Sequence, residues 1–133
     1  MNTKIALGKF DRDFQVWAFA VSHGTLLIRS PSSPGAKAKP ARQTNLDLLF
    51  VGVKYMAVPR FLEGIEIVVP SNAETVVLEN LIGKLSRTDK VFILASQGKR
   101  YSVVAAGVNA FENDFKMFEP LSTLERKLWD NEP

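Results

Sequence analysis

The chain's one histidine, His23, is the first side chain to consider for acid–base or nucleophilic chemistry. The chain has no cysteine, and imidazole titrates near neutral pH. His23 lies in "SHGT", residues 22–25, between two apolar runs. A second pair of apolar runs flanks "SQGK", residues 96–99, where Gln97 takes the same place before a glycine. A position that holds either His or Gln before Gly is typical of a tight turn. The sequence therefore predicts that His23 is a turn residue.

Paired carboxylates are the next candidates for chemistry. The segments "FDRDF", residues 10–14, and "FENDF", residues 111–115, each place two acidic residues between phenylalanines. Brought together, they could bind a hard cation or supply a general acid and base. The four carboxylates concerned are Asp11, Asp13, Glu112 and Asp114. Because an arginine separates the first pair and the spacing is not that of an EF-hand, two polar turns with aromatic anchors explain the segments equally well. A carboxylate-based enzyme or metal binder remains an alternative hypothesis.

The common signatures of enzymes are absent from the sequence. It contains no glycine-rich phosphate loop, no GxSxG nucleophile elbow, no HExxH motif and no dinucleotide-binding fingerprint. We therefore predict no catalytic residue, no metal ligand and no cofactor, and the sequence favours a non-enzymatic protein.

Charge is distributed unevenly along the chain, although the net charge is only +3. Residues 29–60 carry six Lys and Arg against one Asp, whereas residues 109–133 carry three against six Asp and Glu. Such a bipolar surface can steer an acidic partner to one side. Tyr55, Arg60 and Phe61, beside a proline, indicate an edge that lines a partner surface or a pocket. The candidate binding residues are Arg29, Lys37, Lys39, Arg42, Tyr55, Arg60 and Arg100.

Nucleic-acid binding is a second alternative, because the stretch "KAKPAR", residues 37–42, could neutralise phosphates. Further cations could extend this basic face: Lys84, Arg87, Lys90, Lys99 and Arg100. The stretch has no interleaved aromatic residue on which bases could stack, so we rank nucleic acid below a protein partner.

Two tight hairpins are the strongest structural signals. In the first, pairing Ser22 with Thr25 defines one core face. That face comprises Trp17, Phe19, Val21, Leu26 and Ile28. In the second, pairing Ser96 with Lys99 sets the register of the flanking strands.

Two further strands and a loop are also expected. Residues 45–56 are apolar on both faces, as in a central strand, and residues 65–69 alternate in polarity. Residues 31–43 hold three prolines and no large apolar side chain, which predicts a mobile loop.

The sequence indicates two helices. Ser71 and Glu74 form a capping box, and the helix that they begin ends near Gly83. Its predicted apolar face holds Val76, Val77 and Leu81. Ser122 and Glu125 form a second capping box, which predicts a short C-terminal helix.

These elements predict a single α+β domain over residues 1–133, with a largely antiparallel, curled sheet of about five to seven strands, one principal helix and a short C-terminal helix. The strand at residues 45–56 is apolar on both faces, and one helix can cover only one of them. A second copy of the chain could cover the other face, so a homodimer is a further hypothesis. Because no segment has the apolar length of a membrane span or of a secretory signal, we expect a cytoplasmic protein without a membrane partner. We expect it to bind another protein, or a second copy of itself.

Overall fold

The computed structural model describes residues 2–21, 23–32, 44–116 and 126. Within these residues the chain forms nine strands and one helix. In chain order they are β1 (Thr3–Ile5), β2 (Lys9–Ala20), β3 (Thr25–Ser30), β4 (Asn45–Val51), β5 (Tyr55–Ala57), β6 (Phe61–Val68), α1 (Asn72–Ile82), β7 (Lys90–Ser96), β8 (Lys99–Ala105) and β9 (Gly107–Asn113). No helix in this part of the chain combines the length and the apolar character needed to cross a bilayer.

All strand pairs are antiparallel, and the sheet closes on itself. Hydrogen-bonded neighbours follow the order β1-β9-β4-β3-β2-β6-β7-β8-β5. β8 continues into β9 through Ala106 alone, and β4 continues into β5 after a short bend. Because β4 pairs with β9 and β5 pairs with β8, these four strands are two halves of one bent ribbon. The ribbon joins β3 on one side and β7 on the other, which completes a ring of strands.

Backbone hydrogen bonds continue through the bend of this ribbon. The Ala106 N–H donates to the Val51 carbonyl at 2.9 Å, and the Lys54 N–H donates to the Val104 carbonyl at 2.8 Å. Gly52 turns the chain with a φ of +63°, and a Cβ at this position would lie 3.0 Å from the Cβ of Ala106. The bend therefore requires glycine, because a larger residue would meet both backbone strain and a close contact.

The interior of the closed sheet holds the main core. Strand alternation directs Leu26 and Ile28 of β3, and Leu48 and Phe50 of β4, to this interior, where all four are fully buried. The opposite faces of the strands form an outer cluster, which consists of Leu27, Leu49 and Phe111 with Trp17, Val51 and Phe115 packed against them. Both apolar faces of β4 are thus covered within one chain, which removes the argument for a homodimer that rests on an uncovered strand.

The predicted α+β class is wrong, because the structure is closer to an all-β fold. About 58% of the described residues lie in strands, and nine strands in one sheet replace the five to seven expected. The sequence pattern does not reveal β9 or the N-terminal half of β2, which carry most of the two acidic segments. Both strands mix charged or amide side chains with apolar ones, so they resemble polar turns rather than half-buried strands.

The first hairpin has a different register from the predicted one. Thr25 pairs with Ala20, two residues earlier than expected, and a bulge lies at Trp17. Because successive side chains alternate between faces, the bulge places Trp17 in the outer cluster and not on the predicted inner face with Leu26 and Ile28. A bulge adds a residue to one strand only, and the hydrophobic pattern of either strand alone does not show it.

The second hairpin has the predicted register, with Ser96 paired to Lys99. Its two turn residues, Gln97 and Gly98, have φ values of +49° and +72°, as a two-residue hairpin turn requires. His23 is exposed in the turn between β2 and β3. The expectation that His23 is a turn residue is therefore confirmed.

The predicted start of α1 is confirmed, whereas its predicted buried face is wrong. The Ser71 side chain accepts a hydrogen bond from the Glu74 N–H at 3.1 Å, and the Glu74 carboxylate accepts one from the Ser71 N–H at 2.8 Å. Leu78 is the buried residue of the helix. The predicted apolar face is instead more than half exposed and consists of Val76, Val77 and Leu81. The closed sheet fills its interior with its own side chains, so it does not need the helix as a cover.

Two predicted segments lie largely outside the described residues. Of the predicted loop, the structure describes Pro31 and Ser32 but not residues 33–43. Of the predicted C-terminal helix, it describes Arg126 alone.

We expect Gly24 to be required for folding stability. Its φ is +56°, and a Cβ there would lie 3.0 Å from the Val53 nitrogen and 3.1 Å from the Val53 oxygen. Gly24→Ala should therefore lower the free energy of unfolding by about 1–3 kcal/mol in denaturant titrations. Gly8→Ala is the matched control, because a Cβ at Gly8 meets no atom within 4 Å, and it should change the stability by less than about 0.5 kcal/mol. Equal losses in the two variants would contradict this expectation.

Candidate binding site

An apolar cavity of about 450 Å³ lies at the end of the closed sheet where β5 leads into β6. Val16, Met56, Ala57, Val58 and Arg60 line it. Val16 and Val58 also pack against the main core, and Met56 pairs with the core residue Val103. The cavity is therefore an opening of the sheet's apolar interior, and we call it the mouth.

The mouth exists because the strands on either side of it end early. Ala57 is the last residue of β5, and the following Pro59 has no N–H with which to continue a ladder. β6 begins at Phe61, opposite Gln15 of β2, and the last hydrogen bond on this side joins the Val16 N–H to the Arg60 carbonyl at 2.8 Å. Beyond Val16, β2 pairs only with β3. The edge of β2 that faces away from β3 is therefore unpaired beyond Val16, and the mouth lies on this side.

Exposed apolar side chains lie on the segments that carry the lining residues of the mouth. Phe61 is 61% exposed, Met56 is 39% exposed and Phe19, three residues beyond Val16 on β2, is 39% exposed. Val21, in the adjacent turn, is 86% exposed. We call these four residues together with Arg60 the mouth surface.

Arg60 is the only charged residue in the lining of the mouth. Its guanidinium carbon lies 5.1 Å from the centroid of the Phe61 ring, a cation–π arrangement. Within the described residues, no carboxylate lies within ion-pair distance of Arg60. The lining of the mouth is thus apolar except for one cation. This cation, Arg60, has a cation–π contact with Phe61 and no acidic partner among the described residues.

Two of the other candidate binding residues are placed away from the mouth. Tyr55 is half-buried and pairs with Val104, and strand alternation puts it on the face of β5 opposite to Met56. Arg100 forms an ion pair with Glu74, with Nε at 2.8 Å from the carboxylate. Three more candidates, Lys37, Lys39 and Arg42, lie outside the described residues.

Arg29, a further candidate binding residue, is fully buried on the outer face of β3. Its Nε donates to Asp47 Oδ1 at 2.6 Å and its Nη2 donates to Asp47 Oδ2 at 2.9 Å, so the pair is bidentate. The ring of Trp17 lies 5.5 Å from the guanidinium carbon. Both side chains of the ion pair are 0% exposed, and Arg29 is therefore not on the surface that a partner would meet.

Buried amides extend the ion pair into a polar network that sequence reasoning does not anticipate. Asn113 donates to Asp47 Oδ2 at 2.9 Å and to Asn2 Oδ1 at 3.1 Å, and Asn45 donates to Asn113 Oδ1 at 3.0 Å. The network connects the chain ahead of β1 with β3, β4 and β9. The sequence contains one signal of this network. Asp47 is the only charged residue between residues 45 and 53, in a strand that is otherwise largely apolar. Its partner Arg29 could not be identified without the strand register.

The two acidic segments do not form a common site. Asp11 lines a cavity of about 360 Å³ beside Glu63 and Glu66, whereas Glu112 and Asp114 line a different cavity of about 270 Å³. β3 and β4 separate β2 from β9. Among the described residues, no group of three or more His, Asp or Glu side chains is arranged to bind a metal ion.

No model of a protein family, no curated protein and no solved structure matches this chain. Its function must be inferred from its own geometry.

We expect the buried ion pair to be sensitive to the loss of one partner. Arg29→Met leaves the Asp47 carboxylate buried without its cation, which should lower the free energy of unfolding by about 3–5 kcal/mol in denaturant titrations. Replacing both groups, as Arg29→Met with Asp47→Leu, removes the unpaired charge and should restore part of this loss. A double variant less stable than Arg29→Met alone would contradict the expectation.

The Arg100–Glu74 pair should be visible in a pH titration. The Arg100 side chain, followed by the Ser71 backbone N–H, lowers the pKa of the Glu74 carboxyl from 4.5 to about 2 through hydrogen bonds. The folded chain therefore binds fewer protons here than the unfolded chain between these two pH values. The resulting stabilisation is present above the unfolded pKa and is lost as the pH falls through about 2.

Carbon-13 NMR of the Glu74 carboxyl measures this directly. In Arg100→Gln the titration midpoint should rise towards 4.5, because the main hydrogen-bond donor is lost. Arg87→Gln, which removes an exposed cation of the α1–β7 loop, should leave the midpoint at about 2. An unchanged midpoint in Arg100→Gln would show that the ion pair does not form in solution.

Proposed function

We propose that this protein is a non-enzymatic binding domain that holds a partner protein at the mouth surface. The observation that carries the proposal is a cavity with four apolar lining residues, on segments that also carry exposed apolar side chains. An interface on this surface would bury them, and each large apolar side chain that becomes fully buried contributes about 1.5–3 kcal/mol.

The chemistry of the mouth supports binding rather than bond-making. Four of its five lining residues are aliphatic or contain a thioether, and the fifth, Arg60, carries a guanidinium group that donates hydrogen bonds but has no acceptor. None of the five can act as a nucleophile or general base near neutral pH. A concave apolar centre with a polar residue at its edge is instead the arrangement found at binding hot spots.

The outward face of α1 is the competing apolar surface and provides a matched control. Val76 and Val77 are 55% and 56% exposed, close to the 61% of Phe61. The mouth surface includes two residues that line a cavity, Met56 and Arg60. A protein partner that needs a concave centre should therefore select the mouth surface.

The proposal is tested with three immobilised forms of the full chain. They are the wild type, a mouth variant with Val21→Ser and Phe61→Ser, and a helix variant with Val76→Ser and Val77→Ser. All four substituted residues are largely exposed, so each variant should fold, as checked by circular dichroism and thermal unfolding. Sedimentation of each form first establishes whether the chain associates with itself.

We expect a partner that the wild type and the helix variant capture from an extract of the source cells and that the mouth variant does not. Reconstituted from purified components, this complex should weaken by roughly tenfold to a hundredfold in the mouth variant, because buried Phe61 contacts are lost. Capture that is lost in the helix variant and retained in the mouth variant would contradict the proposal. The absence of any partner that reconstitutes would also contradict it.

A further inference from the structure

Arg60 lacks the carboxylate partner that three other cations of the described residues have. Arg29 is paired with Asp47, Lys54 with Asp89 at 3.2 Å, and Arg100 with Glu74. Arg12 donates to backbone carbonyls, among them that of Thr44 at 2.6 Å. In the same part of the chain, Arg60 has the Phe61 ring and no carboxylate.

The lining of the mouth contains no Asp or Glu. The guanidinium carbon of Arg60 lies over the Phe61 ring, and the guanidinium N–H groups lie in the guanidinium plane. A carboxylate at the mouth can therefore pair with Arg60 in the bidentate, in-plane geometry that arginine favours.

From this charge complementarity we infer that the partner presents an acidic–apolar segment, in which a large apolar side chain fills the mouth and an Asp or Glu beside it pairs with Arg60. This inference rests on the proposed function and adds the chemistry of the partner to it. The volume of about 450 Å³ lies within the range of roughly 300–1,000 Å³ typical of binding pockets and leaves room for an aromatic or long aliphatic side chain.

A nucleic acid fits the mouth less well than such a segment. Phosphate recognition draws its affinity from several Lys and Arg residues together, and the mouth contributes one. The aliphatic wall offers bases no aromatic platform inside the cavity, since the exposed Phe61 ring already packs on Arg60. An apolar side chain next to one carboxylate uses both the wall and the cation.

A random peptide library displayed on phage, selected on the immobilised full chain, tests the inference. We expect the selected peptides to share a large apolar residue with Asp or Glu one or two positions away. A synthetic peptide of the selected sequence should bind roughly tenfold more weakly to Arg60→Gln than to the wild type, and replacing the acid of the peptide by its amide should cause a similar loss. Raising the salt concentration should also weaken the binding of the original peptide to the wild type. Arg87→Gln, an exposed arginine away from the mouth, should bind the peptide as the wild type does.

A charge exchange separates a direct contact from a general effect of charge. The peptide with Lys in place of its acid should bind Arg60→Glu better than it binds the wild type, whereas the original peptide should show the reverse order. Failure of this exchange would overturn the pairing of Arg60 with the acid.

The outcomes distinguish this inference from the proposed function. Peptides that lack an acid and ignore Arg60→Gln, but are lost with the Val21→Ser and Phe61→Ser pair, overturn the inference and leave the proposed function standing. Peptides that bind both variants as they bind the wild type, or a library without enriched binders, overturn the inference and count against the proposed function. Binding of a single-stranded oligonucleotide that depends on Arg60 would replace the acidic–apolar segment with nucleic acid.

Discussion

Two backbone hydrogen bonds at the bend of the β4–β5 and β8–β9 ribbon connect the two ends of the sheet, from Ala106 to Val51 and from Lys54 to Val104. These bonds continue the hydrogen-bonding pattern of the β4–β9 pair into the β5–β8 pair. The same ribbon therefore belongs to both ends of the strand order. A closed ring of strands leaves few unpaired edges and encloses an interior that its own side chains must fill. The core, the exposed helix and the mouth all follow from this closure.

The mouth is the place where closure is incomplete. Pro59 ends the ladder after β5, and β6 does not start until Phe61, so β2 beyond Val16 pairs with β3 on one side only. Apolar residues that would be buried in a longer strand pair are therefore exposed here. Their exposure costs solvation free energy in the isolated chain, and a bound partner would recover it. The same interruption places Arg60 and Phe61 side by side at the opening.

The buried polar network has a different role in the fold. An ion pair with 0% exposure at both side chains has a large desolvation cost, which its bidentate geometry and the bond from Asn113 reduce, while the buried Arg29 Nη1 has no hydrogen-bond partner in the described part of the chain. The partners lie on adjacent strands, and a slip of one residue between β3 and β4 would separate Arg29 from Asp47 and bury two unpaired charges. We regard the network as the feature that selects one register among strands that are otherwise apolar on both faces.

What the sequence by itself determined is confined to neighbouring residues. The turn at Gln97 and Gly98 and the capping box of Ser71 with Glu74 are set by interactions within four residues, and both were predictable for that reason. Arg60 and Phe61 are neighbours beside Pro59 in the sequence, and they were likewise predicted to form part of an edge that lines a partner surface or a pocket. The tertiary structure alone decided the face on which Trp17 lies, the burial of Arg29 and the exposure of the apolar face of α1. These depend on a bulge, on strand register and on the pairing of segments up to 68 residues apart. No local sequence pattern reports the energies of such distant contacts.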